Sequence, residues 1–335
     1  MMKRTLVSVM VFAMFTTLSK ANEPVTTSLA PSGTAHHNGG SVAYDGEWYL
    51  WSGYSLYEGN HRTEKLEIYD PLTDSWSYGA DCPFERNGLT AFELNGKMYS
   101  IGGEGYYSAS FNNDAYRYDP AADSWETLSN FPTDCWRRYG AVAAGTAYVF
   151  GGHGDYGPTQ SSMWKYDEAA DSWSSCASMP ISTLGGVTAV VDEKIYVIGG
   201  NHKDSVSNNT PTSEVQVYDP QLDQWAVVGN CPIDLYDGAG IVHDGSIFFT
   251  QHLDTETLWE FDTATLSWSS YDFTWPEDYN GRNALVVIDD GVYIAADDRV
   301  HSSAYRISSV PEPSTVALLV MGIAGLLVTR FRKRK

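Results

Sequence analysis

The chain is short of positive charge. Its 335 residues hold 21 Lys and Arg against 42 Asp and Glu, a formal net charge of −21. The two ends, 1–21 and 310–335, carry eight of the basic residues and one of the acidic ones, which leaves residues 22–309 at −28. A body of that sign repels phosphate backbones and excludes nucleic acid as a partner. The signatures of common catalysts are missing too. There is no Gly-x-Ser-x-Gly turn, no His-Glu-x-x-His helix, no phosphate-cradling loop and no EF-hand loop. What is present is aromatic and turn-forming: 22 Tyr, 11 Trp and 30 Gly, with 43% apolar residues. That content is too apolar for a disordered acidic chain and points to a folded all-β protein.

Long apolar runs are confined to the ends. Lys3 and Arg4 precede the run Leu6 to Phe15, and Ser19-Lys20-Ala21 supplies the small residues of a cleavage site. Residues 1–21 are expected to be a signal peptide cut before Asn22. At the other end, Pro311-Glu312-Pro313 leads into an apolar run over 314–329 and the basic tail Arg330 to Lys335. A helix over that run would rise ~24 Å, a short span that snorkelling Arg and Lys and local bilayer thinning accommodate. The basic tail would stay cytoplasmic and the body outside. This ending resembles the PEP-CTERM sorting signal of Gram-negative bacteria. The resemblance implies an exosortase-like enzyme that reads the motif and releases the body to the envelope or the medium.

Between the ends one unit recurs six times at a spacing of 43–52 residues. A strand closes on two small residues, as in Met98 to Gly103, Ala147 to Gly152 and Ile195 to Gly200, with loose copies at Ile247 to His252 and Val292 to Asp297. Tyr-Asp follows at Tyr69, Tyr118, Tyr166 and Tyr218, then Phe261-Asp262 and Tyr305-Arg306. A Trp stands seven residues after the first five, at Trp76, Trp125, Trp173, Trp225 and Trp268. The pattern resembles the kelch repeat over residues 25–309, which implies a six-bladed β-propeller spanning 22–309. Four short strands per unit and hairpin signals such as Asp45-Gly46 and Asn95-Gly96 agree with it. The sixth copy lacks its fourth strand, and residues 24–30 are expected to supply it and close the ring.

In such a meander the long loops 54–65, 104–115, 153–163 and 201–214 share one face, where function concentrates on a rigid scaffold. Seven histidines fall there, all but His243. Glu104, His153, His202, His252, Asp297 and Asp298 stand at the di-glycine position and are expected to ring the channel mouth. Arg86, Arg137, Arg138, Arg282 and Arg299 are expected on the same face. Arg86 and Arg138 each precede a glycine, Gly88 and Gly140, by two residues. Their guanidinium groups either grip an acidic glycan bidentately or pair with local acids. No spacing demonstrates a metal site, and no cofactor is implied. Cys82, Cys135, Cys176 and Cys231 sit on or after fourth strands. Cys82–Cys231 is excluded by distance around the ring, whereas pairing between neighbouring blades stays open.

These features favour an exported binding or matrix protein that recognises polysaccharide or protein through its long-loop face. The alternative is an enzyme on a sugar acid, because periplasmic sialic-acid mutarotases are also six-bladed kelch propellers. The Ser-x-Asp-x-Gly-x-x-Trp boxes of sialidases are absent.

Overall fold

The computed structural model describes residues 25–34, 36–55, 61–105, 111–154, 157–204, 209–251, 257–272, 284–288, 291–297 and 302–308. The leader, the sorting residues Pro311, Glu312 and Pro313, and the apolar run 314–329 lie outside them. Among the described residues no helix is long and apolar enough to cross a membrane, so the C-terminal helix stays an expectation of the sequence.

Six antiparallel sheets follow the six sequence repeats. Five have four strands, and the sheet of blade two gains a fifth from the short strand Arg86–Asn87. Blade three is typical: Tyr139–Ala143, Thr146–Phe150, Met163–Asp167 and Ser172–Cys176 pair in sequence order from the inside outwards. The innermost strands touch one another in cyclic order, and that of blade six meets that of blade one. In blade six, Val25–Ser28 pairs outside Ser302–Ser308, so an N-terminal strand completes a sheet otherwise made from the end of the body.

The blades are joined by aromatic wedges. Tyr49, Tyr99 and Tyr148 on second strands meet Tyr118, Tyr166 and Tyr218 of the following blade at ring separations of 6.4, 5.8 and 5.6 Å. Tyr293 of blade six meets Tyr69 of blade one at 6.1 Å across the closure. Offset and tilted rings at such distances add to the burial energy of the interface.

A second device works as a staple. The hydroxyls of Tyr69, Tyr118, Tyr166 and Tyr218 donate to Asp74, Asp123, Asp171 and Asp223, at 2.7–2.8 Å. Each Asp also accepts a backbone N–H from the end of the previous blade: Ala30, Ala80, Ser129 and Ala177. The carbonyls of those same four residues accept the indole N–H of Trp76, Trp125, Trp173 and Trp225. Ala30 thus occupies the position that Ala80 holds in blade one, which identifies its segment as an outer strand. In blade five the pair is replaced as a unit by Phe261 and Leu266. There the outer strand of blade four, Gln224–Leu235, runs on against its own neighbour, with Val215 opposite Gly229.

The four cysteines are free, which rules out the pairings left open by sequence. They lie in four separate interblade cores, each beside different partners. Burial raises the thiols of Cys82 and Cys135, and takes that of Cys231 to about 11.

Candidate functional site

The di-glycines position the long-loop face. Gly53, Gly103 and Gly152 donate backbone N–H groups to Arg86, Cys135 and Thr183, in the lead-in segments of the next blades. A Cβ on Gly102 would lie 2.4 Å from that of Cys135, so the approach requires glycine. Two residues before the first strands of blades one to five, a residue adopts the left-handed conformation: Asn38, Gly88, Arg137, Gly185 and Asp237, with φ between 47° and 68°. These five share one repeat position around the axis.

That register corrects the reading of the arginines. Thr90 pairs with Ile101 as Tyr139 pairs with Phe150, so Gly88 corresponds to Arg137 and Arg86 to Cys135. Arg138 lies three positions further along the repeat than Arg86. It is 5% exposed, bonded to Gly151 O, Ser162 Oγ, Thr133 Oγ1 and Asp134 O, with its guanidinium over Phe131. Such a side chain braces blade three. Arg86 pairs with Asp114 at 2.5 Å and covers Phe84 and Tyr116. Glu104 pairs with Arg62 at 3.0 Å between blades one and two. Arg282, Arg299, His252 and Asp298 lie outside the described residues. Asp297 ends the strand Gly291–Asp297.

Arg137, His153 and His202 come together, and with them residues that the sequence did not single out. Arg137 reaches past blade four to pair with Asp237 of blade five. The pair passes over Gly185 of blade four, where a Cβ would lie 2.6 Å from Asp237 Oδ1 and 3.3 Å from Arg137 Nη2. The guanidinium also covers Trp136, whose ring stacks with Phe111 at 5.2 Å and with His153 at 5.5 Å. His202 Nδ1–H donates to Ser182 O at 2.9 Å. Lys203 has no ion pair among the described residues. Burial, then the nearby charge of Arg137, lowers its pKa, while Asp237 opposes the fall. Burial first and Lys203 second bring the His153 pKa down to about 4, so its imidazole is neutral near pH 7. The run Trp136-Arg137-Arg138 was the available signal for this cluster. Lys203 and Asp237 gave none, since they come from blades four and five. Among the described residues no three His, Cys, Asp or Glu gather to hold a metal ion.

Two family models match the chain. The KLHDC2/KLHL20/DRC7 kelch-repeats domain covers residues 88–296, and the PEP-CTERM protein-sorting motif covers 309–335. Among curated relatives, Kelch-like protein 35 of Mus musculus is 29% identical over 101 residues, which is 30% of this chain and 16% of that protein. Kelch-like protein 11 of Homo sapiens is 32% identical over 29% of this chain and 13% of its own length. The F-box/kelch-repeat protein At1g67480 of Arabidopsis thaliana is 28% identical over 34% and 31%. The matches therefore span at most about a third of these relatives. The solved structure of YjhT superposes with a TM-score of 0.71 at 15% identity, covering 85% of this chain and 98% of that one, a likeness of fold. With its repeats, its closed ring of sheets and these two matches, the chain belongs to the kelch-repeat propellers and carries a PEP-CTERM sorting motif that marks it for export to the cell envelope.

Proposed function

We propose that this exported propeller is a non-catalytic binding or matrix protein that takes an acidic glycan on the long-loop face of blades three to five. Arg137 pairs with Asp237, and Lys203 lies close enough to feel the charge of both, in a body that is otherwise heavily negative. That local surplus of positive charge carries the reading. A general field of −28 repels an anion, so binding depends on a few enclosed cations that lose little to salt. Calorimetric titration of the chain with polyuronate oligomers tests it. Lys203→Gln should weaken binding about tenfold, the loss of one charged hydrogen bond. Absence of polyuronate binding, or binding indifferent to Lys203, would sink the reading.

A second reading, a sugar-acid enzyme, draws on one observation. His153 is held neutral beside two cations, and perturbed groups of that kind cluster at catalytic sites. Monitoring sugar acids by NMR for anomer exchange or consumption separates the two. Turnover abolished by His153→Gln supports the enzyme, and unchanged spectra support the binding module.

Processing is tested in the envelope of the producing cell. The mature mass should lack everything beyond the Pro311–Pro313 region. An intact tail in cells with an active exosortase would leave the protein a membrane-anchored propeller.

A further inference from the structure

Blades three and four hold polar groups that the Arg137–Asp237 pair does not use. Asn201 follows the di-glycine Gly199-Gly200 and is 1% exposed, yet neither its Oδ1 nor its Nδ2 has a hydrogen-bond partner. His153 holds the same repeat position in blade three and is 3% exposed. Its Nδ1 is likewise unpartnered. A neutral imidazole carries one hydrogen, and with it on Nε2 the Nδ1 presents a lone pair. Thr159 links the two blades: it pairs with His153, and its N–H donates to Lys203 O at 2.9 Å. Strand alternation sets Asn201 and Lys203 on one side and His202 on the other. His202 is accordingly spent on Ser182.

Buried amides and imidazoles nearly always have their atoms paired, and those that do not mark a place where something else completes them. These two residues offer the Asn201 Nδ2 amide as donor and Asn201 Oδ1 and, with the hydrogen on Nε2, His153 Nδ1 as acceptors. A hydroxyl pair matches it, since one hydroxyl can donate to Oδ1 while its neighbour accepts from Nδ2 and donates onward. We infer that Asn201 and His153 read the hydroxyls of a polyhydroxylated carboxylate whose acid group lies toward Lys203 and Arg137. This rests on the anion-binding reading above and narrows it to ligands in which a vicinal diol flanks the acid. Sites built to bond a hydroxyl discriminate strongly against analogues that lack one, because their own polar atoms are then left bare.

The test is calorimetry on the full chain with three probes: glucuronate, its neutral counterpart glucose, and propionate. Glucuronate should bind at least about tenfold tighter than either of the others. Asn201→Leu should cost glucuronate about tenfold and leave propionate unchanged, whereas Lys203→Gln should weaken both. If Asn201→Leu fails to fold by thermal melting, Asn201→Ala, which removes both polar atoms without adding bulk or charge, should show the same selectivity loss. Equal affinity for glucuronate and propionate, still dependent on Lys203, overturns the hydroxyl reading and leaves the anion site standing. Binding of none of the three overturns both. Unchanged glucuronate affinity in both Asn201 variants assigns the residue to ordered water alone.

Discussion

Gly185 shows how much one missing side chain allows. Its φ of +68° and the passage of the Arg137–Asp237 pair both exclude a Cβ. Gly185→Ala should cost about 2 kcal/mol from backbone strain, with displacement of the ion pair on top, measured by denaturant unfolding. His153 carries a pH signature. Its folded pKa of about 4 lies below the ordinary imidazole value, so the unfolded chain binds the proton more readily. Its contribution is complete above about pH 6.5 and is lost as pH falls toward 4. The melting temperature of wild type should drop across that window more than that of His153→Gln. At this scale the sequence was only half legible. Arg86 and Arg138 looked equivalent because each precedes a glycine by two residues. Gly88 joins a positive φ to a Cβ position only 2.4 Å from Trp136 Nε1, whereas Gly140 is needed because a Cβ would crowd Thr90 Cγ2 at 2.8 Å. Identical spacing concealed two different physical demands.

Among elements, the staple is the informative unit. Tyr-Asp and the Trp seven residues on were readable as wedge residues from their recurrence. The Asp five residues after the Tyr was equally periodic in Asp74, Asp123, Asp171 and Asp223, but its partner is a backbone group of another blade, which no spacing reveals. Phe261 and Leu266 depart together because a tyrosine hydroxyl without its carboxylate would be left unpaired at the interface. Phe261→Tyr alone should therefore destabilise blade five by about 1–2 kcal/mol, and adding Leu266→Asp should recover most of the loss. A double-mutant cycle measured by urea unfolding checks the coupling. Additive effects would show that the two positions do not communicate. The hydrogen bonds that hold these four aspartates lower their pKa values. Their stabilisation is present above the usual carboxylate range and is lost as pH falls through the depressed values. Acid unfolding should accordingly release the interfaces of blades one to four.

For the whole molecule, closure rests on two distant pieces of chain. Deleting residues 25–30 removes the outer strand of blade six together with the Ala30 contacts to Asp74 and Trp76. The melting temperature should fall by several degrees, since ~2–3 kcal/mol lost from a domain of this size shifts it that far. An unchanged transition in differential scanning calorimetry would show that the ring holds without its N-terminal strand. The need for this strand was legible, because the sixth repeat stops one strand short while a β-rich segment precedes the first.

That arrangement also sets an order in time. Val25–Ser28 is among the first parts of the body to leave the ribosome and to cross the membrane, yet its partner, Ser302–Ser308, is the last strand of the body to arrive. Five blades can zip up in turn as they emerge, while the sixth must wait for the chain to be nearly finished. The sorting stretch 309–335 follows Ser308 directly. Completion of the fold and presentation of the sorting motif thus fall at the same moment of export, and a chain truncated anywhere in its last blade would have neither a shut ring nor an address.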